Sequence, residues 1–465
     1  MTTDRHNGKK ATVSAFAVAF LFFQFAYPYH LMRREQISLF MFDGNYISQT
    51  YKGTGWLSRF LGDFIDQFLH FPIAGPILIA LILTAIAVIA YRIARRLLGE
   101  RSSMATAAAV FIWAVLRETG NLQMTRYSLA IMCYLYIILC FIRLHGWWRK
   151  TAFIPVIAVC IWALGSPYDT HYGKMFNTPS MKYERMIGMD VELTREKWDK
   201  VLKLTEKDYH IIEESYCYNL ANAMKGELSR NMFKYSQNRA MNSLFIWVSD
   251  KESEFSNSLA GEVWYHMGDM TLAEQSAIIA LQSSPYHTGA KYLQRLAKIN
   301  LISGQEDAAR KYLRMLSKTL VYRRWARMML SGEYDESTEA WLEGARAKLV
   351  PKDADFVYST NDMRPVLQNL LESDPGNDMA REYLLCYDLL RLDLDSFMED
   401  YSPGKTVPET YQEAVLIWLT LNGKMSEAEA EEYGVSRQII DKLDNFYRFP
   451  DSYKGTYWYY YVNAE

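Results

Sequence analysis

The 465 residues are half hydrophobic and carry 51 Lys+Arg against 53 Asp+Glu, which excludes a disordered polyelectrolyte and allows two or three domains. The balanced total hides two opposite parts: residues 1–165 hold 16 Lys+Arg against 7 Asp+Glu, and the remainder holds 35 against 46. No basic block interleaved with aromatics is present, so no nucleic-acid partner is expected, and five cysteines without a CxxC pair define no disulfide framework.

The basic part, 1–165, reads as a membrane domain. Apolar runs at 11–31, 72–91, 102–116, 127–144 and 151–165 predict about five transmembrane helices. The first, preceded by Arg5, Lys9 and Lys10 and lacking a clear cleavage site, reads as a retained signal anchor. Arg92, Arg95, Arg96 and Arg101 follow the second run, and Arg143, Arg149 and Lys150 follow the fourth. Cytoplasmic loops are enriched in Lys and Arg, so the N-terminus and both basic loops are expected inside. Everything after about residue 166 then lies outside the cytoplasm.

Between the first two runs, Trp56, Leu57, Phe60, Leu61, Phe64, Ile65, Phe68 and Leu69 recur in pairs every four residues. That spacing predicts an amphipathic helix over 56–69, lying in the interface or packing across the spans. Arg33, Arg34, Glu35 and Asp43 precede it. Two readings of its acids compete. Multi-spanning glycosyltransferases that use lipid-linked sugars often carry an acidic catalytic residue in their first outer loop, which makes Asp43, Asp63 and Asp66 candidates. The simpler reading, and the preferred one, is a polar helix face and a snorkelling arginine pair.

Residues 166–191 are expected to be a linker. From Glu192 onward, helical periodicity is broken by turn signals every 12–20 residues. In Glu254–Pro285, Gly268 and Asp269 mark a turn, Gly261 and Trp264 lie before it, and Ala273, Ala277 and Ala280 recur on one face after it. This stretch resembles a tetratricopeptide repeat, with Asn257 and Ala277 where that family has large aromatics. Gly226 and Gly304 mark similar turns, so repeats start near 212, 254 and 290. The expected architecture is all-α: transmembrane helices followed by a tetratricopeptide-like α-solenoid over 192–350, then divergent helical repeats and an aromatic cap over 351–465. Within the tail, Tyr457–Tyr461 offers either a sugar-stacking platform or rings packed on the last helices, and packing is favoured.

The order of parts, together with REQISLF, YNLANAMKGELSRNMFKY, PETYQEAVLIW and GTYWYYY, resembles an uncharacterised family of Bacteroidota multi-spanning membrane proteins. That resemblance implies a bacterial inner (cytoplasmic) membrane location, with a cytoplasmic N-terminus and a periplasmic C-terminal domain, and supplies no activity.

No HExxH, GxSxG or Walker loop occurs, so no metal, cofactor or catalytic set is expected. The leading expectation is a scaffold in the bilayer whose repeats bind a protein or peptide partner in the envelope. The repeat resemblance places that groove at Tyr216, Leu220, Ser258, Glu262, Tyr265, Gln294, Lys298 and Leu301. The alternative is a transferase of envelope glycan or lipid-linked sugar, or its accessory subunit, using the loop acids.

Overall fold

A computed structural model describes residues 2–120, 124–167, 178–206, 212–249, 251–284, 287–350, 362–404 and 406–464. The chain is all-α, with no strand among the described residues. It forms two compact units that cut across the expected division of the chain. The first comprises Met1–Ile187, Ser284–Gln294 and Arg310–Glu333; the second comprises Gly188–Ser283, Arg295–Ala309 and Tyr334–Glu465. The expected linker is helical from Met181, and its residues 168–177 lie outside the described residues, as does Pro285.

Among the described residues, four helices are long and apolar enough to cross a membrane: Gly8–Ala26, Ala74–Leu97, Met124–Arg143 and Trp147–Leu164. The first of these is α1 (Thr2–Leu21) continued by a π-turn, Phe22–Ala26. It stops short of the expected 11–31 because Pro28 has no N–H to continue the ladder; Tyr27 turns the chain and Pro28 opens α2 (Pro28–Ile37). Next come α3 (Gly44–Thr50), α4 (Trp56–Asp66) with a 3₁₀ turn Gln67–His70, and α5 (Ala74–Leu97). The fifth expected span, 102–116, falls in α6 (Glu100–Glu118), whose alanines, serines and charged ends leave it outside those four. Last are α7 (Met124–Arg143) and α8 (Trp147–Leu164).

Hydrogen bonds show which helix ends meet. Tyr27 donates to the Thr119 carbonyl, Ser58 to the Leu164 carbonyl at 2.6 Å, and Arg117 to the Pro167 carbonyl at 2.5 Å. The C-terminal ends of α1, α6 and α8 therefore gather beside α2 and α4, and α5 to α8 alternate in direction. Helix α6 packs along α5 and runs the length of the bundle. The core holds Phe23, Ile79, Leu83, Ile86, Ala114 and Leu129. Val13, Leu81, Ile112, Ile154 and Val159 remain exposed, the outward apolar belt that hydrocarbon tolerates.

The second unit is built of short helices joined by tight turns. It includes the latter part of α9 (Met181–Thr194), then α10 (Trp198–Thr205), α11 (Ile212–Ala223) and α12 (Leu228–Asn231). The repeat expected from 212 thus has a second helix of a single turn. The hairpin of α13 (Glu254–Met267) and α14 (Met270–Ser283) is as read from the sequence: Ser253 caps α13, Gly268 ends it, and Ala273, Ala277 and Ala280 are buried. Gly268 takes φ +104°, a conformation that favours glycine.

Helices α15 (Ala290–Ile302) and α16 (Glu306–Leu316) each contribute residues to both units. The first unit ends with α17 (Arg323–Ser331), and the second continues with α18 (Glu336–Ala347), α19 (Arg364–Ser373), α20 (Asp378–Leu390), α21 (Leu394–Asp400), α22 (Glu409–Leu421), α23 (Glu427–Glu432), α24 (Arg437–Arg448) and α25 (Tyr457–Asn463). In α25, Tyr457 and Trp458 are buried, and Trp458 donates Nε1–H to the Glu413 carbonyl at 3.0 Å.

Candidate functional site

Helix α4 is packed on both its polar and its apolar side, with Leu61 and Ile65 against the hydrophobic core. Ser58, Gly62 and Asp66 are buried, while Phe60 and Phe64 pack against Phe40. In water the apolar stripe of such a helix seeks the core, but beside lipid it is the polar groups that seek company. Gly62 permits the approach to α7: a Cβ there would sit 2.6 Å from Arg126 Cβ and 2.9 Å from its Cα. What the two helices bring together is a polar cavity of about 240 Å³. Arg34, Arg59, Arg126, Asp63, Asp66 and Tyr51 line it.

Each group has defined partners. Arg34 is fully buried and donates Nη1–H to Glu118 Oε1 at 2.5 Å and Nη2–H to the Glu118 carbonyl at 2.6 Å. Ser128 donates to the other Glu118 oxygen at 2.6 Å. Asp66 accepts from Thr125 Oγ1 at 2.5 Å, and Asp63 accepts from the Tyr51 hydroxyl at 3.1 Å. Arg126 lies over the Tyr127 ring at 4.6 Å, and Arg59 donates to the Lys52 carbonyl at 2.5 Å. The snorkelling arginine pair expected at 33–34 is therefore overturned: Arg33 and Arg34 are 1% and 0% exposed, because Arg34 finds a carboxylate inside the unit.

Burial pushes the Asp66 carboxyl up to about 7, against the pull of Arg34 and Thr125. It pushes Asp63 up to about 6, against Tyr51, Arg126 and Arg59. Both carboxyls are thus partly protonated toward neutral pH, and the negative charge of the lining falls as pH drops. A carboxyl raised in the folded state contributes stability that is complete below its ordinary value and lost as pH rises through the folded value. The first unit should therefore lose thermal stability between about pH 4 and pH 7. Melting scans of the detergent-solubilised chain should show this slope, and Asp66→Asn should flatten it.

A second polar cluster adjoins this one. Glu35, 3% exposed, lies 3.3 Å from His70 Nδ1 and accepts from the Tyr322 hydroxyl at 3.3 Å. Glu184 accepts from the Tyr29 and His30 backbone N–H groups at 2.6 and 3.1 Å, satisfying the first turn of α2. Burial pushes Glu184 up to about 8.

Of the three loop acids singled out by sequence, the structure brings Asp63 and Asp66 together and separates Asp43. Asp43 caps α3 through the Tyr46 N–H at 2.9 Å and pairs with Lys318 at 2.7 Å, and the Lys318 ammonium holds its carboxyl below the usual range. Its role is explained by structure alone.

The profile of a family of unknown function, DUF6057, matches residues 7–171 and 167–464. The chain belongs to that family. No curated protein and no solved structure matches this DUF6057 chain.

The groove read from repeat positions is not an open surface in this DUF6057 protein. Tyr216, Leu220, Ser258, Glu262, Tyr265 and Leu301 are buried, and Gln294 and Lys298 are half-buried. Some of their polar atoms are engaged internally. Tyr216 donates to the Leu259 carbonyl at 2.6 Å, Glu262 is clamped by Arg295 at 2.6 Å, and Arg295 covers the Tyr265 ring at 3.8 Å. Lys298 lies 5.7 Å from the Trp341 ring centre, and burial pushes it down to about 8. Gln294 belongs to the other unit. Sequence reading named Arg34 only as a snorkelling residue and missed Arg126 and Glu118 as site residues; the available signal was charge at the ends of apolar runs, where an ion needs a buried partner.

Proposed function

We propose that this DUF6057 protein binds the anionic head group of a membrane amphiphile, of the lipid-linked phosphate or phosphosugar class, and acts on it by proton transfer. The observation that carries this reading is the 240 Å³ cavity with three arginines and two carboxyls raised toward neutrality. Arginine forks suit phosphate oxygens, and an acid titrating near 7 suits general acid–base work. The volume suits a head group, leaving a lipid tail to the bilayer. The five antiparallel helices and the Lys/Arg bias of the loops near Arg95, Arg149 and Lys150 favour a multi-pass bacterial inner-membrane protein with the cavity on the periplasmic side. Cysteine labelling from outside the cell at Lys52→Cys and Arg149→Cys tests the orientation: only the first is expected to react.

The chemistry is tested by reconstituting the full chain in nanodiscs and measuring binding of polyprenyl phosphate against a neutral lipid. Arg59→Ala and Arg126→Ala are expected to weaken binding about tenfold each, the loss of one charge-assisted contact. Asp66→Asn mimics the neutral acid, so it should keep binding while turnover of a lipid-linked phosphosugar is abolished. Asp43→Asn should change neither. Equal binding of the neutral lipid, or full turnover by Asp63→Asn and Asp66→Asn, would remove the reading. A scaffold role for the second unit would have to use surface other than the eight positions above.

A further inference from the structure

The second unit contains a separate open hollow of about 740 Å³, within the range of small-ligand sites. Three stretches of chain frame it: 233–241, 390–392 and 454–464. Three of the side chains lining it are cationic (Lys234, Arg391 and Lys454), and no Asp or Glu is among the described residues that line it. That is a local inversion of charge, because residues 166–465 as a whole hold 46 acids against 35 Lys+Arg.

The walls are tyrosine rings held in place. Tyr235 stacks on Tyr218 with centroids 4.7 Å apart, Tyr460 sits 4.9 Å from Phe233 and donates to the Leu390 carbonyl at 3.1 Å, and Lys454 lies 5.9 Å from the Tyr459 ring centre. The backbone is strained at the same place. Of the four non-glycine residues with positive φ among those described, Ala240 (+45°) and Leu392 (+61°) both line the hollow. Such conformations persist where the surrounding structure holds them, and they cluster at ligand sites. The two lysines have only weak competitors, Lys454 pairing with Asp451 at 3.5 Å with both side chains largely exposed and Lys234 donating to Asn231 at 2.8 Å, whereas Arg391 is already paired with Asp362 at 3.2 Å.

We infer that this hollow is a binding site for an acidic oligosaccharide. A tyrosine face, negative at its centre, accepts the polarised C–H edge of a pyranose, and the two lysines meet its carboxylates. A peptide is the poorer fit. Peptides are read along a strand edge or in a groove between helices, and two of the three stretches that frame this hollow are turns and 3₁₀ segments such as Met232–Lys234 and Ala240–Ser243, with α25 as the remaining wall. The site is independent of the cavity in the first unit.

The test uses the full chain in detergent, titrated calorimetrically with trigalacturonate, with maltotriose as the neutral sugar and triglutamate as the acidic peptide. Trigalacturonate is expected to bind at least about tenfold more tightly than either. The double variant K234A/K454A and, separately, Tyr459→Ala should each weaken it about tenfold or more with unchanged melting temperature, since all three side chains are at least partly exposed. K234R/K454R should bind as the wild type does. Equal affinity for maltotriose or triglutamate, no measurable trigalacturonate binding, or indifference to K234A/K454A would each overturn the assignment.

Discussion

Replacing Arg34 by alanine is expected to destabilise the first unit by about 3–5 kcal/mol, the usual cost of leaving one member of a buried ion pair alone. Both Arg34 and Glu118 are 0% exposed, and alanine would leave Glu118 with Ser128 as its remaining hydrogen-bond donor. Against a typical total of about 5–15 kcal/mol that loss is large, and the melting temperature in detergent should fall by roughly ten degrees. Arg34→Lys keeps the charge and loses the fork, so a smaller loss is expected. The decisive comparison is Arg34→Met combined with Glu118→Leu: two apolar groups of similar size leave no orphan charge, and stability should recover most of the way. A single alanine variant that melts like the wild type would mean that water reaches Glu118.

The second large effect is expected at Gly268→Ala, in the second unit. A methyl group there would sit 2.1 Å from the Lys348 carbonyl oxygen and 2.8 Å from its carbon, and φ is +104°. Overpacking costs about 1–3 kcal/mol and the left-handed backbone about 1 more, for about 2–4 kcal/mol in all. Urea unfolding followed by tryptophan fluorescence should shift accordingly, and hydrogen exchange should accelerate first over α13 and α14. Gly344→Ala, inside α18 with open space around its Cβ, is the control, expected to stabilise by about 0.5–1 kcal/mol.

Long-range structure divides what was legible from what was not. The apolar runs announced the bundle because hydropathy is a local property, and Gly268 announced the α13–α14 turn because a helix end needs a left-handed residue. The contact that makes Gly268 irreplaceable, with Lys348, lies 80 positions away and left no local trace. Asp63 and Asp66 were visible as acids on an amphipathic helix. That they line one cavity with Arg34 and Arg126 was hidden, since periodicity locates a polar face without naming what it meets. Arg34 and Glu118 are 84 positions apart, and nothing in either neighbourhood names the other. The groove positions were hidden for a related reason: repeat spacing names positions along a helix, and most of those chosen are buried in this chain.

The three-part make-up of the first unit bears on how the protein matures. Its helices α2 and α4 leave the ribosome early, yet the Gln67 side chain accepts from the Leu320 N–H at 3.0 Å, Glu35 from Tyr322, and Phe42 donates its N–H to the Lys318 carbonyl at 2.8 Å. At ordinary elongation rates the partners arrive roughly 10–50 s later. During that interval the nascent bundle sits in the bilayer with an acid and an amide still awaiting their bonds. Chains released before about residue 333 would keep that defect permanently, making them natural prey for membrane proteases.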